Sequence, residues 1–369
     1  MNLPTLTLPA WAHAKHWRAA PMGLELGQDG VRLVQFEQGL KGPRLVAAAH
    51  LPYPGHRDEL LSRKAAWRQW LQAGLQQHGF SGRQVVSCLP ADEVRIFPVA
   101  VGPSPEDMDA AVTQAVLTRL QGEAPQMVMD YVPIRSHAAD SQREALVAVA
   151  KPAAVDAHLA HLEAAGLEPV ALEVGPVALA RLTGYSNQGG GPDRYPHALL
   201  INFGRQRSHV SVVWGRRLVL DREIAFAESV LLARLTRALE LDPDTAQRLL
   251  LKMGLVEDHA NDDEFTQALI EVLQPELGLL VSEINRTLVY TASRSRGQGI
   301  DQVYLCGSVS RYPGVDQLLQ KRLSLPVKVM DPFTTFESAL SPLEREALEP
   351  IASVAVATGL ALRGWSSHA

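Results

Sequence analysis

Two glycine-marked turns hold the residues of this chain best placed for chemistry. The first reads Glu25-Leu26-Gly27-Gln28-Asp29-Gly30; the second, 177 positions later, reads Asn202-Phe203-Gly204-Arg205-Gln206. In register, Glu25 falls on Asn202, Gly27 on Gly204 and Val31 on Ser208. Each turn lies between an apolar strand and a second strand with period-two alternation. A third strand-like segment follows each hairpin, Pro43 to Pro52 and Arg217 to Ala225. A chain that opens both halves with the same strand-turn-strand reads as two related lobes facing each other. The functional question is what the two turns hold between them.

Other constellations are weaker. His158 and His161, three apart on a helix, could share a metal with Asp156 or Glu163, but no third ligand stands at convincing spacing. An exposed helix face is the expected reading. Gly307-Ser308-Val309-Ser310 follows a strand and precedes a helix, as a nucleophile elbow does. It lacks that motif's second glycine and an acid–histidine order, which argues against a hydrolase. Trp67 and Trp70 fit helix packing better than a base-stacking platform. Cys88 and Cys306, the two cysteines, both sit in apolar strand-like segments and read as buried, inert thiols.

The bulk composition agrees with a two-lobed globular chain. At 369 residues it exceeds one ordinary core, and 46% hydrophobic with 20% charged residues supplies ample core material. A net charge of −5 and a pI near 6.2 give no basic surplus for nucleic acid. No stretch approaches the length of a membrane-spanning helix. His13, Lys15, His16 and Arg18 interrupt what a signal peptide would keep apolar. The expectation is a cytoplasmic protein whose N-terminal arm, residues 1–20, covers an apolar patch, with contact of Trp11 and Trp17 to a membrane surface or a partner as the alternative.

In chain order, the first hairpin and its third strand lead to a helix from about Ser62 to His78, with Trp67, Trp70, Leu71 and Leu75 on one face. A buried strand follows at Gln84 to Leu89. Residues 94–170 then read as β-α-β-β-α-β, with Ser104 capping a helix that Pro105 opens, and look like an inserted module. Tyr185 to Pro192 is a connector by composition. Beyond the second hairpin come a helix from Glu228 to Leu241, a short helix capped by Asp242 and ending at Gly254, and a polar loop. A long helical region from Glu264 to Ser293 is expected to bend or break at Pro275. Strand Gln302 to Cys306, helix Val315 to Leu323, strand Val327 to Met330 and a buried helix from Ile351 to Leu362 close the chain.

This order of pieces resembles the actin-like ATPase superfold. More closely it is similar to the PilM family of type IV pilus assembly proteins, relatives of the cell-division protein FtsA. The resemblance rests on residues 23–34, 130–134, 162–170, 173–181, 221–226, 305–308 and 325–333, and spans Gly23 to Arg363. It implies an α/β actin-like (ribonuclease H-like) fold. The first lobe would be residues 21–93, completed by 171–188 and 350–365. The module would be 94–170, and the second lobe 195–349, with a helical subdomain at 242–280. It implies ATP with Mg²⁺ between the turns. Glu25, Gly27, Gln28, Asp29 and Gly30 would face one side of the phosphates; Asn202, Gly204, Arg205 and Gln206 would face the other. Gly307, Ser308 and Val309 would lie near the adenosine.

The departures from the family pattern bear on that site. Typical members carry aspartate at the positions of Glu25 and Asn202, and small hydroxyl residues at those of Gln28 and Asp29. Asparagine removes a metal-organising charge, and Asp29 brings a negative charge toward polyphosphate. One such like-charge pair at about 4 Å and an effective dielectric near 20 costs roughly 4 kcal/mol before screening. Ser308 stands where a glycine would let a base approach. The expectation is therefore a weak or lost nucleotide site, no catalytic residues and no resident metal, in a scaffold peripheral to the inner membrane. The resemblance implies a partner of the PilN type, a bitopic inner-membrane protein whose cytoplasmic N-terminal peptide docks in the groove between residues 94–170 and the first lobe. Two alternatives remain open: an active actin-like ATPase that regulates its partners, and an FtsA-like filament former, disfavoured because no basic amphipathic C-terminal helix is visible.

Overall fold

The structure, a computed structural model, describes residues 20–102, 107–121, 126–134, 143–186, 196–256, 264–294, 299–348 and 350–365. Strands β1 (Met22–Leu26), β2 (Gly30–Gly39) and β3 (Gly42–Pro52) form the first meander, followed by helices α1 (Arg57–Ser62) and α2 (Lys64–Gln77) and strand β4 (Gln84–Leu89). Next come β5 (Val94–Gly102), α3 (Met108–Leu120), β6 (Val128–Ile134), β7 (Arg143–Ala150), α4 (Pro152–Ala164), β8 (Glu168–Val174) and α5 (Gly175–Ser186). The second meander is β9 (His197–Phe203), β10 (Ser208–Trp214) and β11 (Arg217–Ile224). It leads to α6 (Glu228–Leu239), α7 (Pro243–Met253) and α8 (Glu264–Arg294). The chain closes with β12 (Gln302–Gly307), α9 (Val315–Leu323), β13 (Val327–Val329), β14 (Glu337–Ser338), α10 (Pro342–Glu346) and α11 (Ala355–Ala361).

Three sheets result. Their orders are β14-β3-β2-β1-β4-β8, β11-β10-β9-β12-β13 and β5-β7-β6. The two large sheets share one plan: an antiparallel meander whose first strand, β1 or β9, continues into parallel pairing with β4 or β12. The duplication read from residues 23–36 and 201–213 is thus a duplication of sheets. Central strands are buried on both faces, so β10 carries the pattern of a fully covered strand. On α2, Trp67, Leu71 and Leu75 fall at four-residue intervals and are all buried. Trp67 Nε1 donates to the His161 carbonyl at 2.7 Å, tying α2 to α4.

Helices α5 and α11 pack where the lobes meet, and their contact depends on glycine. A Cβ on Gly359 would lie 2.1 Å from the Ala178 carbonyl oxygen, and one on Gly23 of β1 would lie 2.0 Å from that of Ala357. Glu173, with only 4% of its side chain exposed, accepts two hydrogen bonds from Arg181, at 2.7 and 2.9 Å, and another from Arg363. The carboxylate thereby joins β8, α5 and the end of the chain.

Several expectations change. Residues 94–170 do not form one module. Strand β8 pairs with β4 in the first large sheet, and α4 packs on α2, so only β5, α3, β6 and β7 build the small sheet and its helix. Strand β8 reaches β4 across more than seventy residues of chain, a pairing that local pattern does not reveal. Helix α3 is capped by Asp107, which accepts from the Ala110 amide at 3.1 Å; Ser104 and Pro105 lie outside the described residues. Tyr185 and Ser186 end α5 rather than begin a connector. Helix α8 continues through Pro275. The N-terminal arm to residue 19, the remainder of the connector, the polar loop at 257–263 and the tail from Ser366 also lie outside the described residues.

His158 is buried rather than exposed: its Nε2 lies 2.9 Å from Ser87 Oγ, which itself donates to the Leu24 carbonyl. Burial lowers the His158 pKa to about 4, so the imidazole is neutral and belongs to the core. Among the described residues no three metal-ligating side chains converge.

Candidate functional site

The first turn is tied down from several sides. The Gly27 amide donates to the Gly30 carbonyl at 2.9 Å, the Tyr53 amide to Asp29 at 3.1 Å, and the Tyr53 hydroxyl to the Gly27 carbonyl at 3.2 Å. Arg32 stands opposite Glu25 across the β1–β2 ladder. Its Nη2 reaches both Asp29 oxygens, at 2.7 and 3.0 Å, and a Cβ on Gly27 would meet its Nη1 at 2.2 Å. The guanidinium therefore lies over the glycine whose lack of a side chain admits it. Burial raises the Asp29 pKa, but Arg32 and His50 outweigh it and leave the carboxyl below its ordinary value. Burial raises that of Glu25, with Arg32 opposing and Asp29 adding to the rise. Glu25 Oε2 is buried without a hydrogen-bond partner.

The second turn caps a helix. The Gly204 and Arg205 carbonyls accept from the amides of Glu228 and Ser229 at the start of α6, at 3.2 and 2.9 Å. Gly204 is obligatory, because a Cβ there would sit 2.0 Å from the Arg207 carbonyl oxygen. Arg205, Gln206 and Arg207 are exposed, and Arg207 pairs with Glu223 at 2.5 Å. Glu228, almost fully buried, accepts from Arg311 Nη2 and the Tyr312 hydroxyl, each at 2.5 Å.

Gly307 ends β12 at φ +82°, and a Cβ there would lie 2.1 Å from the Phe203 carbonyl oxygen. That oxygen accepts both the Ser308 amide, at 2.7 Å, and its hydroxyl, at 3.2 Å. Glu25, Gly27, Gln28, Asp29, Asn202, Gly204, Arg205, Gln206, Gly307 and Ser308 all line one cleft of about 180 Å³. Gly30 and Val309, expected beside them, do not. Gly30 packs against the Leu51 carbonyl, and Val309 is wholly inside the second core.

The cleft also holds residues the motifs did not mark. Arg32 and His209 stand 177 positions apart, at equivalent places in the two hairpins, and both line it. His209 lies across from Asn202 and is 8% exposed. Its Nδ1 lies 3.0 Å from Asp221 Oδ2, while Asp221 Oδ1 accepts from Ser211 Oγ at 2.6 Å. Nε2 is buried and has no partner. Burial lowers the His209 pKa, but the bond to Asp221 and the charges of Asp221 and Glu223 together outweigh it and the net shift is upward. The register that aligns Gly27 with Gly204 is the sequence signal that pairs these two residues.

A second concavity, of about 560 Å³, opens between β6, α5, the β10–β11 turn and the end of the chain. Val132 and Pro133, Val177, Leu218, Leu362 and Trp365 give it apolar walls, and Arg181, Arg216 and Arg217 edge it. A Cβ on Gly184 would lie 2.9 Å from Arg216 Cγ, so the arginine stem crosses α5 at that glycine. Helix α5 borders both cavities: Gly175 and Pro176 face the cleft, Ala180 and Gly184 the groove. The β10–β11 turn of the second meander supplies one wall of this concavity.

The family model for Type IV pilus assembly protein PilM matches residues 23–365. The chain belongs to the PilM family. The match runs from β1 to just beyond α11 and includes both turns and the groove. Among solved structures, a PilM-PilN type IV pilus biogenesis complex aligns with a TM-score of 0.74 at 24% identity, covering 94% of this chain and 99% of that one. MreB5 of Spiroplasma citri bound to ADP aligns at 0.47 and 12% identity over 89% of this chain and 95% of its own. Ta0583, an archaeal actin homolog, aligns at 0.47 and 14% over 94% and 98%. The actin-like fold expected of a PilM relative is the fold observed. No described helix is long and apolar enough to cross a membrane.

Proposed function

We propose that this chain is a scaffold of a type IV pilus assembly platform at the cytoplasmic side of the inner membrane. In this reading it binds the N-terminal peptide of a PilN-like partner in the groove between β6, α5 and the β10–β11 turn, and its actin-like cleft no longer performs Mg²⁺-dependent ATP hydrolysis. The observation that carries the second half is the Arg32–Asp29 ion pair across Gly27. A cation near the phosphate position is spent on a carboxylate of its own turn, and that carboxylate is spent with it.

The remaining acids fit Mg²⁺ no better. A hard divalent cation needs oxygen ligands, usually including carboxylates free to face it. Glu228 is held by Arg311 and Tyr312, and Asp221 by Ser211 and His209. Asn202 is neutral, and Glu25 is alone beside a guanidinium. The partner half rests on family membership and on an apolar-walled concavity that could take side chains of a docked peptide.

The test is titration of a labelled N-terminal peptide of the PilN-like protein from the same cell. Gly184→Leu pushes the Arg216 stem into the groove and is expected to weaken binding at least about tenfold, some 1.4 kcal/mol. Equal binding by the variant would move the peptide elsewhere. The ATPase alternative draws support from one feature, the opposed turns with exposed Arg205 at their edge.

A further inference from the structure

We propose that the chain's own N-terminal segment, residues 2–11, lies in the groove between β6, α5 and the β10–β11 turn and covers its apolar walls. Its consequence, that an incoming peptide must displace the segment, rests on the reading of the groove as the partner's site. The segment reads Asn2-Leu3-Pro4-Thr5-Leu6-Thr7-Leu8-Pro9-Ala10-Trp11 and carries no charged side chain. Leu6 and Leu8 alternate with Thr5 and Thr7, so an extended backbone puts both leucines on one face. Pro4 and Pro9 hold φ near its extended value, which lowers the entropy lost on docking. The basic residues Lys15 and Arg18 come later, between the segment and the fold.

Ala20 is the first described residue. Its amide donates to the Phe36 carbonyl at 3.3 Å, and Gln35 Nε2 donates to the Ala20 carbonyl at 2.9 Å, which anchors the root of the arm beside β2. The Phe36 ring centre lies 4.9 Å from that of Phe336, and the Phe336 centre lies 5.8 Å from that of Tyr185. Tyr185 lines the groove and donates its hydroxyl to the Trp365 carbonyl at 2.6 Å. Two ring contacts thus lead from the root of the arm to the groove wall, in one apolar cluster that also includes Leu218 and Leu362. Residues 12–19, extended at about 3.3 Å each, span roughly 26 Å, enough to carry Trp11 past both rings.

The groove suits this occupant. Val132 is 41% exposed, and Val177, Leu218 and Trp365 continue the apolar wall. Covering that wall removes apolar surface from water. Arg181, Arg216 and Arg217 edge the groove; they repel the stretch from Lys15 to Arg18 and tolerate an uncharged one. The arm is neutral far from the fold and basic next to it, which matches a neutral segment inside the groove and a basic one outside. Leu279, Val289 and Tyr290 on α8 also expose apolar surface, but α8 packs in the second core, on the other lobe from Ala20. A tethered segment acts at an effective concentration of about millimolar, so weak contacts suffice.

The experiment places a nitroxide on Thr7→Cys in the whole chain and follows leucine and valine methyl resonances. Cys88 and Cys306 are buried, and burial raises both thiol pKa values, so the label goes to the arm. Expected is broadening of Val177 and Leu218 in the groove, with Leu71 on α2, in another core cluster, unaffected. Adding Leu6→Asp and Leu8→Asp should remove the broadening. The same two substitutions without the label should tighten partner-peptide binding about tenfold, because the open groove is then more populated. Broadening elsewhere with Val177 and Leu218 untouched, or none at all, would overturn the proposal. So would broadening passed from a labelled chain to a separate isotope-marked one, which would put the arm on a second copy. Groove broadening with an unchanged peptide Kd would uphold the arm and contradict the groove as the partner's site. A tenfold loss on Gly184→Leu without arm broadening would do the reverse.

Discussion

Replacing Gly23 by alanine is expected to cost about 3 kcal/mol or more, at the upper end of overpacking penalties. The added Cβ would lie 2.0 Å from the Ala357 carbonyl oxygen and 2.4 Å from the Ala361 amide nitrogen. Both obstacles are backbone of α11, which cannot swing aside as a side chain does. Relief requires α11 to lift from β1, and α11 also packs on α5 through Gly359. For a domain whose total stability is about 5–15 kcal/mol, this is a large fraction. Chemical denaturation measures it, and Gly55→Ala is the control, because nothing lies within 4 Å of a Cβ there. Equal stability of the two variants would show that the lobe junction is looser than described. The functional consequence is expected in both cavities, since β1 leads into the first turn, Val356 of α11 lines the cleft, and Leu362, just past the end of α11, lines the groove.

The second large effect concerns Glu173. Glu173→Gln keeps the shape but removes a charge that answers two guanidinium groups, and turns an NH₂ toward one of them. Breaking a buried pair from one side costs about 3–5 kcal/mol; the arginines are 22% and 29% exposed, so about 2–4 kcal/mol is expected. Arg181 also donates to the Gly359 carbonyl at 2.7 Å, which extends the damage to the α5–α11 contact. The midpoint of urea unfolding should drop with the slope unchanged. A change under about 0.5 kcal/mol would mean that water replaces the carboxylate at no cost.

The large elements were legible because their signals are local. Alternation on either side of Gly27 and Gly204 marks two hairpins, and their common register marks two lobes. What escaped reading depends on contacts distant in sequence. Strand β8 looks like the end of the inserted module until it is seen beside β4. His158 looks exposed on a helix of mixed composition until Ser87 comes against it. Gly30 and Val309 belong to the right turns but face packed neighbours instead of the cleft. Arg32 carries no motif signal, yet it covers Gly27 and holds Asp29. Gln28, Asp29 and Asn202 are the departures from the family pattern that motivate the proposed loss of the nucleotide cycle, and the bond between Asp29 and Arg32 is the observation that proposal leans on.

The central claim is that this PilM-family chain holds its partner without a nucleotide cycle. It is tested most directly by one titration, the partner peptide against the whole protein with and without Mg-ATP, while phosphate release is monitored. The account predicts the same Kd within about twofold, less than 0.5 kcal/mol, and no phosphate released above background. A Kd that moves about tenfold or more with Mg-ATP, or steady phosphate release abolished by Gly204→Val, would contradict it.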